Sequence, residues 1–138
     1  MIIPAKYDCK RPFENEELPE VYDRLLSDSQ FQKVLAYLYP GVPLDNIAAK
    51  MRACKTNLEF QKAFCYPFLQ QLVVKQSLGC DMDAYNINIK NRYTFVSNHR
   101  DIVLDSAFLD KLLIDVGFAT TCEIAIGDNL LSQDWVRD

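Results

Sequence analysis

Tyr93-Thr94-Phe95-Val96-Ser97-Asn98-His99-Arg100-Asp101-Ile102-Val103-Leu104-Asp105 is the stretch in which the apolar pattern of the chain changes period. Tyr93 to Val96 is aromatic and β-branched, a composition that suits a pleated, half-buried surface and predicts a strand. From about Ile102 to Val116 the apolar residues recur at helical spacing, and Gly117 supplies the left-handed residue that ends helices. Cys122-Glu123-Ile124-Ala125-Ile126 then reads as another strand, ahead of the turn Gly127-Asp128-Asn129. Strand, helix, strand implies a parallel pair with a right-handed crossover, so the fold class expected from residues 80–138 is α/β, with an α+β appearance over this length.

Just upstream, Tyr85, Ile87 and Ile89 alternate with Asn86, Asn88 and Lys90, which predicts a strand joined to Tyr93–Val96 through Asn91-Arg92. Before Gly79 the signal is helical. Leu18 to Leu26, Gln30 to Tyr39, Leu44 to Cys54 and Asn57 to about Ser77 read as helices separated by Ser27-Asp28-Ser29, Pro40-Gly41-Val42-Pro43 and Lys55-Thr56. In the second, Phe31, Val34, Leu35 and Leu38 form a single apolar stripe suited to packing. Two regions are therefore expected: a helical segment over 1–79 and the start of an α/β domain over 80–138. A sheet of two or three strands leaves an unpaired edge, and Trp135-Val136-Arg137-Asp138 carries no helix stop, so further strands are expected beyond Asp138.

Composition narrows the function classes. With 138 residues, 49% of them hydrophobic and 25% charged, the chain has the profile of an ordered globular protein. A net charge of −4 without a dense Lys/Arg cluster argues against nucleic acid as a partner. The five cysteines, Cys9, Cys54, Cys65, Cys80 and Cys122, form no C-x-x-C pair and read as reduced thiols. Charged residues near Met1 interrupt any signal-peptide pattern. The most apolar stretch, Phe64 to Val74, falls well short of the ~20 residues a spanning helix needs.

The only histidine, His99, follows a predicted strand and precedes a helix, where open α/β folds place their ligands. Ser97, Asn98, Arg100, Asp101 and Asp105 surround it. Residues five or six apart on a regular helix point away from each other, so His99 must lie on the preceding loop and fold back toward Asp105. Asp101 is placed to cap the helix by accepting backbone N–H bonds. A histidine oriented by a carboxylate is a general base, and neither Ser97 nor Ser106 sits in a nucleophile elbow. Direct activation of a substrate hydroxyl is the economical reading.

Phe95-Val96-Ser97-Asn98-His99-Arg100 followed by an aspartate resembles the first motif of the glycerol-phosphate and lysophosphatidate acyltransferases, N-H-x-x-x-x-D or S-H-R-x-x-x-D on a strand-to-helix turn. At the family's aspartate position this chain has Leu104, with Asp105 one place later. The resemblance implies transfer of a fatty acyl group from acyl-CoA or acyl carrier protein to a glycerol-phosphate or lysophospholipid hydroxyl in phospholipid biosynthesis. His99 would be the base, Asp105 its support, and Asn98 and Arg100 substrate contacts, with no metal and no cofactor beyond the acyl donor. It implies a lipid substrate at a membrane surface and a cytoplasmic protein peripheral on the inner face of the cytoplasmic membrane. The family's later motifs would lie past Asp138, so the chain alone is expected to be inactive.

Other readings stand beside this one. His99-Arg100-Asp101 imitates a kinase catalytic loop, but Ser106 occupies the asparagine position and no Gly-rich loop occurs. A metal on His99, Asp101 and Asp105 would lack the second histidine of common hydrolytic sites. The competing class is a non-catalytic helical interaction module.

Overall fold

In the computed structural model, the described residues are 11–98, 100–101, 103–124 and 133–138. Their regular structure is helical throughout: α1 (Leu18–Ser27), α2 (Ser29–Leu38), α3 (Leu44–Ala53), α4 (Asn57–Phe60), a π-helical turn (Gln61–Cys65), α5 (Tyr66–Gln76), α6 (Leu104–Val116) and α7 (Asp134–Arg137). No strand occurs among the described residues, which overturns the expected α/β class and its sheet.

Local side-chain chemistry accounts for the loss of the strands. Asp83 accepts the Tyr85 N–H at 3.0 Å and Asn88 accepts the Lys90 N–H at 3.0 Å, while Ile87 N–H reaches Ala84 O and Asn91 N–H reaches Asn88 O. These bonds curl 83–91 into successive turns and take donors that a ladder would need. Tyr93–Val96 has no ladder partner among the described residues. At the third expected strand, the Cys122 N–H is given to the Asp110 carboxylate of α6 at 2.9 Å. Ala125 and Ile126, the end of that expected strand, lie outside the described residues, as does the Gly127-Asp128-Asn129 turn.

The helices start and stop for identifiable reasons. Pro19 opens α1, at a position where its missing N–H has no helical partner to lose. Asp28 caps α2, its Oδ1 accepting the N–H groups of Gln30 (2.7 Å) and Phe31 (2.9 Å). Asp28→Ala is expected to lower stability by about 1 kcal/mol, read as a shift in the urea midpoint. The helix expected over Asn57 to Ser77 is interrupted by the π-helical turn, in which Tyr66 N–H bonds Gln61 O. Pro67 supplies the reason: it offers no N–H to the carbonyl four residues back and its ring crowds that carbonyl, so the turn before it widens. Gly117 closes α6 at φ 99°, with Phe118 N–H on Leu113 O at 2.9 Å.

The chain divides into two compact units. In the first, described over 11–59 and 133–138, Leu18, Val21, Tyr22, Leu25 and Leu26 of α1 share a core with Leu35 of α2 and Ile47, Ala48 and Met51 of α3. Arg52 of α3 pairs with Asp23 of α1 at 2.9 Å. Arg24 holds α7 through a two-pronged bond to Asp138 (2.7 and 3.0 Å), and Trp135 donates to Gln30 and packs on Phe31. The second unit, Phe60–Ile124, packs α5 and α6 around Phe64, Leu69 and Leu113. Among the described residues no helix is long and apolar enough to cross a membrane.

Candidate functional site

The acidic entry to α6 is built by two carboxylates that take different bonds. Asp101 Oδ1 accepts the N–H groups of Val103 (2.9 Å) and Leu104 (2.7 Å), satisfying donors that the first turn of a helix leaves unpaired. Asp105, one residue into α6, reaches backward: its Oδ2 accepts the N–H groups of Arg100 (2.7 Å) and Asp101 (2.9 Å). Ser106 Oγ donates to Val103 O at 3.1 Å. The loop is thus folded over the first turn of α6, with the Asp105 carboxylate against the two residues that follow His99 in the chain.

His99 and Ile102 lie outside the described residues. Asn98 and Arg100 are exposed on either side of that position, and Asp101 is exposed as well. The structure therefore brings Asp105, Asp101 and the Arg100 backbone together and leaves the Asn98 and Arg100 side chains facing solvent. Both carboxylates stand where the positive end of the helix dipole favours negative charge.

Two further polar clusters in the second unit have no counterpart in the sequence reading. Cys122 donates its thiol hydrogen to Asp110 Oδ1 at 2.9 Å. Burial and the Asp110 carboxylate together push this thiol up to about 12, so it stays protonated at neutral pH and is no nucleophile. The second cluster joins Lys111, Asp115 and Tyr66: Lys111 Nζ meets Asp115 Oδ2 at 2.5 Å, and the Tyr66 hydroxyl donates to Asp115 Oδ1 at 2.6 Å. The Lys111 ammonium also stands 5.5 Å from the Tyr66 ring centre. The i, i+4 spacing of Lys111 and Asp115 is a signal the sequence carried. Nothing in the sequence placed Tyr66 beside them. Among the described residues no three His, Cys, Asp or Glu side chains gather as a metal site would require.

No family model matches the chain, and comparison with curated proteins and with solved structures finds none similar to it.

Proposed function

We propose that this chain carries the general-base element of an acyltransferase that moves a fatty acyl group from acyl-CoA or acyl carrier protein to a glycerol-phosphate or lysophospholipid hydroxyl. The observation that supports it is the backward reach of Asp105, whose carboxylate grips the backbone directly after His99. Asp101 bonds forward to the N–H groups at the start of α6, whereas Asp105 bonds back to the residues next to His99, and in this reading Asp105 takes the orienting role. In this reading His99 takes the proton of the acceptor hydroxyl as its oxygen attacks the thioester carbonyl. The carbon–sulfur bond breaks, and the proton passes to the departing thiolate. Arg100 and Asn98, exposed beside the base, meet the acceptor phosphate. The work is done from the cytoplasm, peripherally at the inner face of the membrane that holds the acceptor lipid.

The test is acyl transfer to glycerol 3-phosphate and to lysophosphatidate, measured on the full gene product and its His99→Ala and Asp105→Asn variants. Loss of a general base lowers turnover by roughly 10²–10⁴-fold, and His99→Ala is expected within that range, with Asp105→Asn below it. Equal turnover in wild type and His99→Ala would reject the reading. It would promote a second one, a helical interaction module, which the exposed apolar side chains Val74, Leu78, Tyr85, Val96 and Val103 of the second unit favour.

A further inference from the structure

α7 is a single turn in which no residue is fully buried. A helix that short has no stability of its own in water, so its shape depends on what it is docked against. Trp135 and Asp138 stand three residues apart, the spacing that puts side chains on one helix face, and both are half-buried while Gln133, Asp134, Val136 and Arg137 are exposed. The Asp138 carboxylate accepts from Arg24 Nε at 3.0 Å and from Nη2 at 2.7 Å. Trp135 Nε1 donates to Gln30 Oε1 at 3.2 Å, and its ring centre lies 6.0 Å from that of Phe31. The residues that receive α7 are equipped to lose it. Arg24, 43% exposed, also meets Glu20 at 3.3 Å and stands over the Phe13 ring at 5.8 Å, so undocking strands no buried charge. Gln30 is exposed, and water can take the place of the indole N–H. None of the buried residues that hold α1, α2 and α3 together lies in 133–138.

We infer that α7 is a latch: it leaves and re-docks on Arg24, Gln30 and Phe31 as a body of its own while α1, α2 and α3 stay folded, and ionic strength sets its position. Local opening of this kind belongs to elements held by few buried contacts and by hydrogen bonds open to solvent. Salt acts on the latch because the pair that closes it is only partly shielded, with Arg24 43% and Asp138 15% exposed, and screening weakens such a pair. The packing of the indole on Phe31 is apolar and insensitive to screening, so it gives α7 a fixed place to return to. Opening uncovers the Phe31 ring and releases the Arg24 fork in one step.

Trp135 is the single tryptophan of the chain, so acrylamide quenching of its fluorescence reads α7 alone. The experiment follows that quenching from about 10 mM to about 1 M NaCl, over which the screening length shortens about tenfold, with amide exchange of α1 and α3 measured in the same samples. Quenching is expected to rise with salt while the α1 and α3 amides keep their protection. Arg24→Gln and Asp138→Asn each remove the ion pair from one side. Both should raise the ratio of open to closed α7 by up to about fivefold at low salt, the range for a partly exposed pair, and flatten the salt response. Asp138→Asn keeps the test independent of any effect on the folding of α1. Quenching that rises only together with exchange in α1 and α3 overturns the inference, because α7 would then belong to the cooperative core. Quenching that ignores salt, or that ignores both substitutions, overturns it as well.

Discussion

Met51→Ala is expected to lower the unfolding free energy by about 2–5 kcal/mol, the range for removing a large apolar side chain from a closed core. Met51 is 0% exposed and belongs to α3, whose buried face it shares with Ile47 and Ala48 against the apolar faces of α1 and α2. The residues around it are already engaged: Leu18, Val21, Tyr22 and Leu25 are buried on α1, and Leu35 on α2. A three-helix unit of this size has little room to collapse into the space left behind. Urea unfolding followed by helical circular dichroism reads the loss directly. Met51→Leu, which nearly conserves volume, should cost less than about 1.5 kcal/mol. Equal effects from the two substitutions would show that the site is loosely packed.

Asp115→Ala is the second large effect, expected at about 2–4 kcal/mol, because it strands the Lys111 ammonium with a side chain only 5% exposed. Lys111→Met should be much milder, within about 1 kcal/mol. It removes the buried charge, and Asp115, 31% exposed, keeps its bond from Tyr66. The asymmetry between the two halves of one ion pair is the point of the comparison. Its pH dependence follows from the carboxyl. Burial acts to raise the Asp115 pKa, but the Lys111 and Tyr66 bonds outweigh it, and the group titrates below its ordinary value of 3.8. The folded state therefore binds the proton less readily than the unfolded chain. The contribution of the carboxylate is complete above the ordinary value and fades as pH falls through the lowered one. The gap between wild type and Asp115→Ala should narrow accordingly in acid.

The helical half of the chain could be read from local chemistry. The stripe of Phe31, Val34, Leu35 and Leu38, the Ser27-Asp28-Ser29 break and Gly117 each act within a turn or two, so their effect is fixed before tertiary structure enters. The alternation of Tyr85, Ile87 and Ile89 was equally visible, yet alternation only says which side chains could share a face. Whether a ladder forms depends on competing bonds, and here Asp83 and Asn88 capture backbone donors two residues on. The widening at Gln61–Cys65 was hidden for another reason: Pro67 announces a disturbance without saying whether the chain will kink, stop or take up an extra residue. At the α6 entry, spacing identified which residues share the first turn. The bonds of Asp105 to the Arg100 and Asp101 N–H groups depend on the loop's return path, which no residue pattern encodes. The same holds for Tyr66 and Asp115, joined across 49 residues.

The bond from Arg24 to Asp138 spans 114 residues, and that from Trp135 to Gln30 spans 105. The first unit is thus drawn from two separate stretches of the chain, described over 11–59 and 133–138, with the second unit between them. While the ribosome works through that interval, α1, α2 and α3 emerge with no α7 to receive. Phe31 waits without Trp135, and Arg24 is left with Glu20 of its own helix and the Phe13 ring. Closing so long a loop adds little further entropic cost, since that cost grows only logarithmically with length. Time, not free energy, is what the arrangement demands: α1 and α2 are made well before their partners in α7, and those contacts form only after translation has passed Asp138.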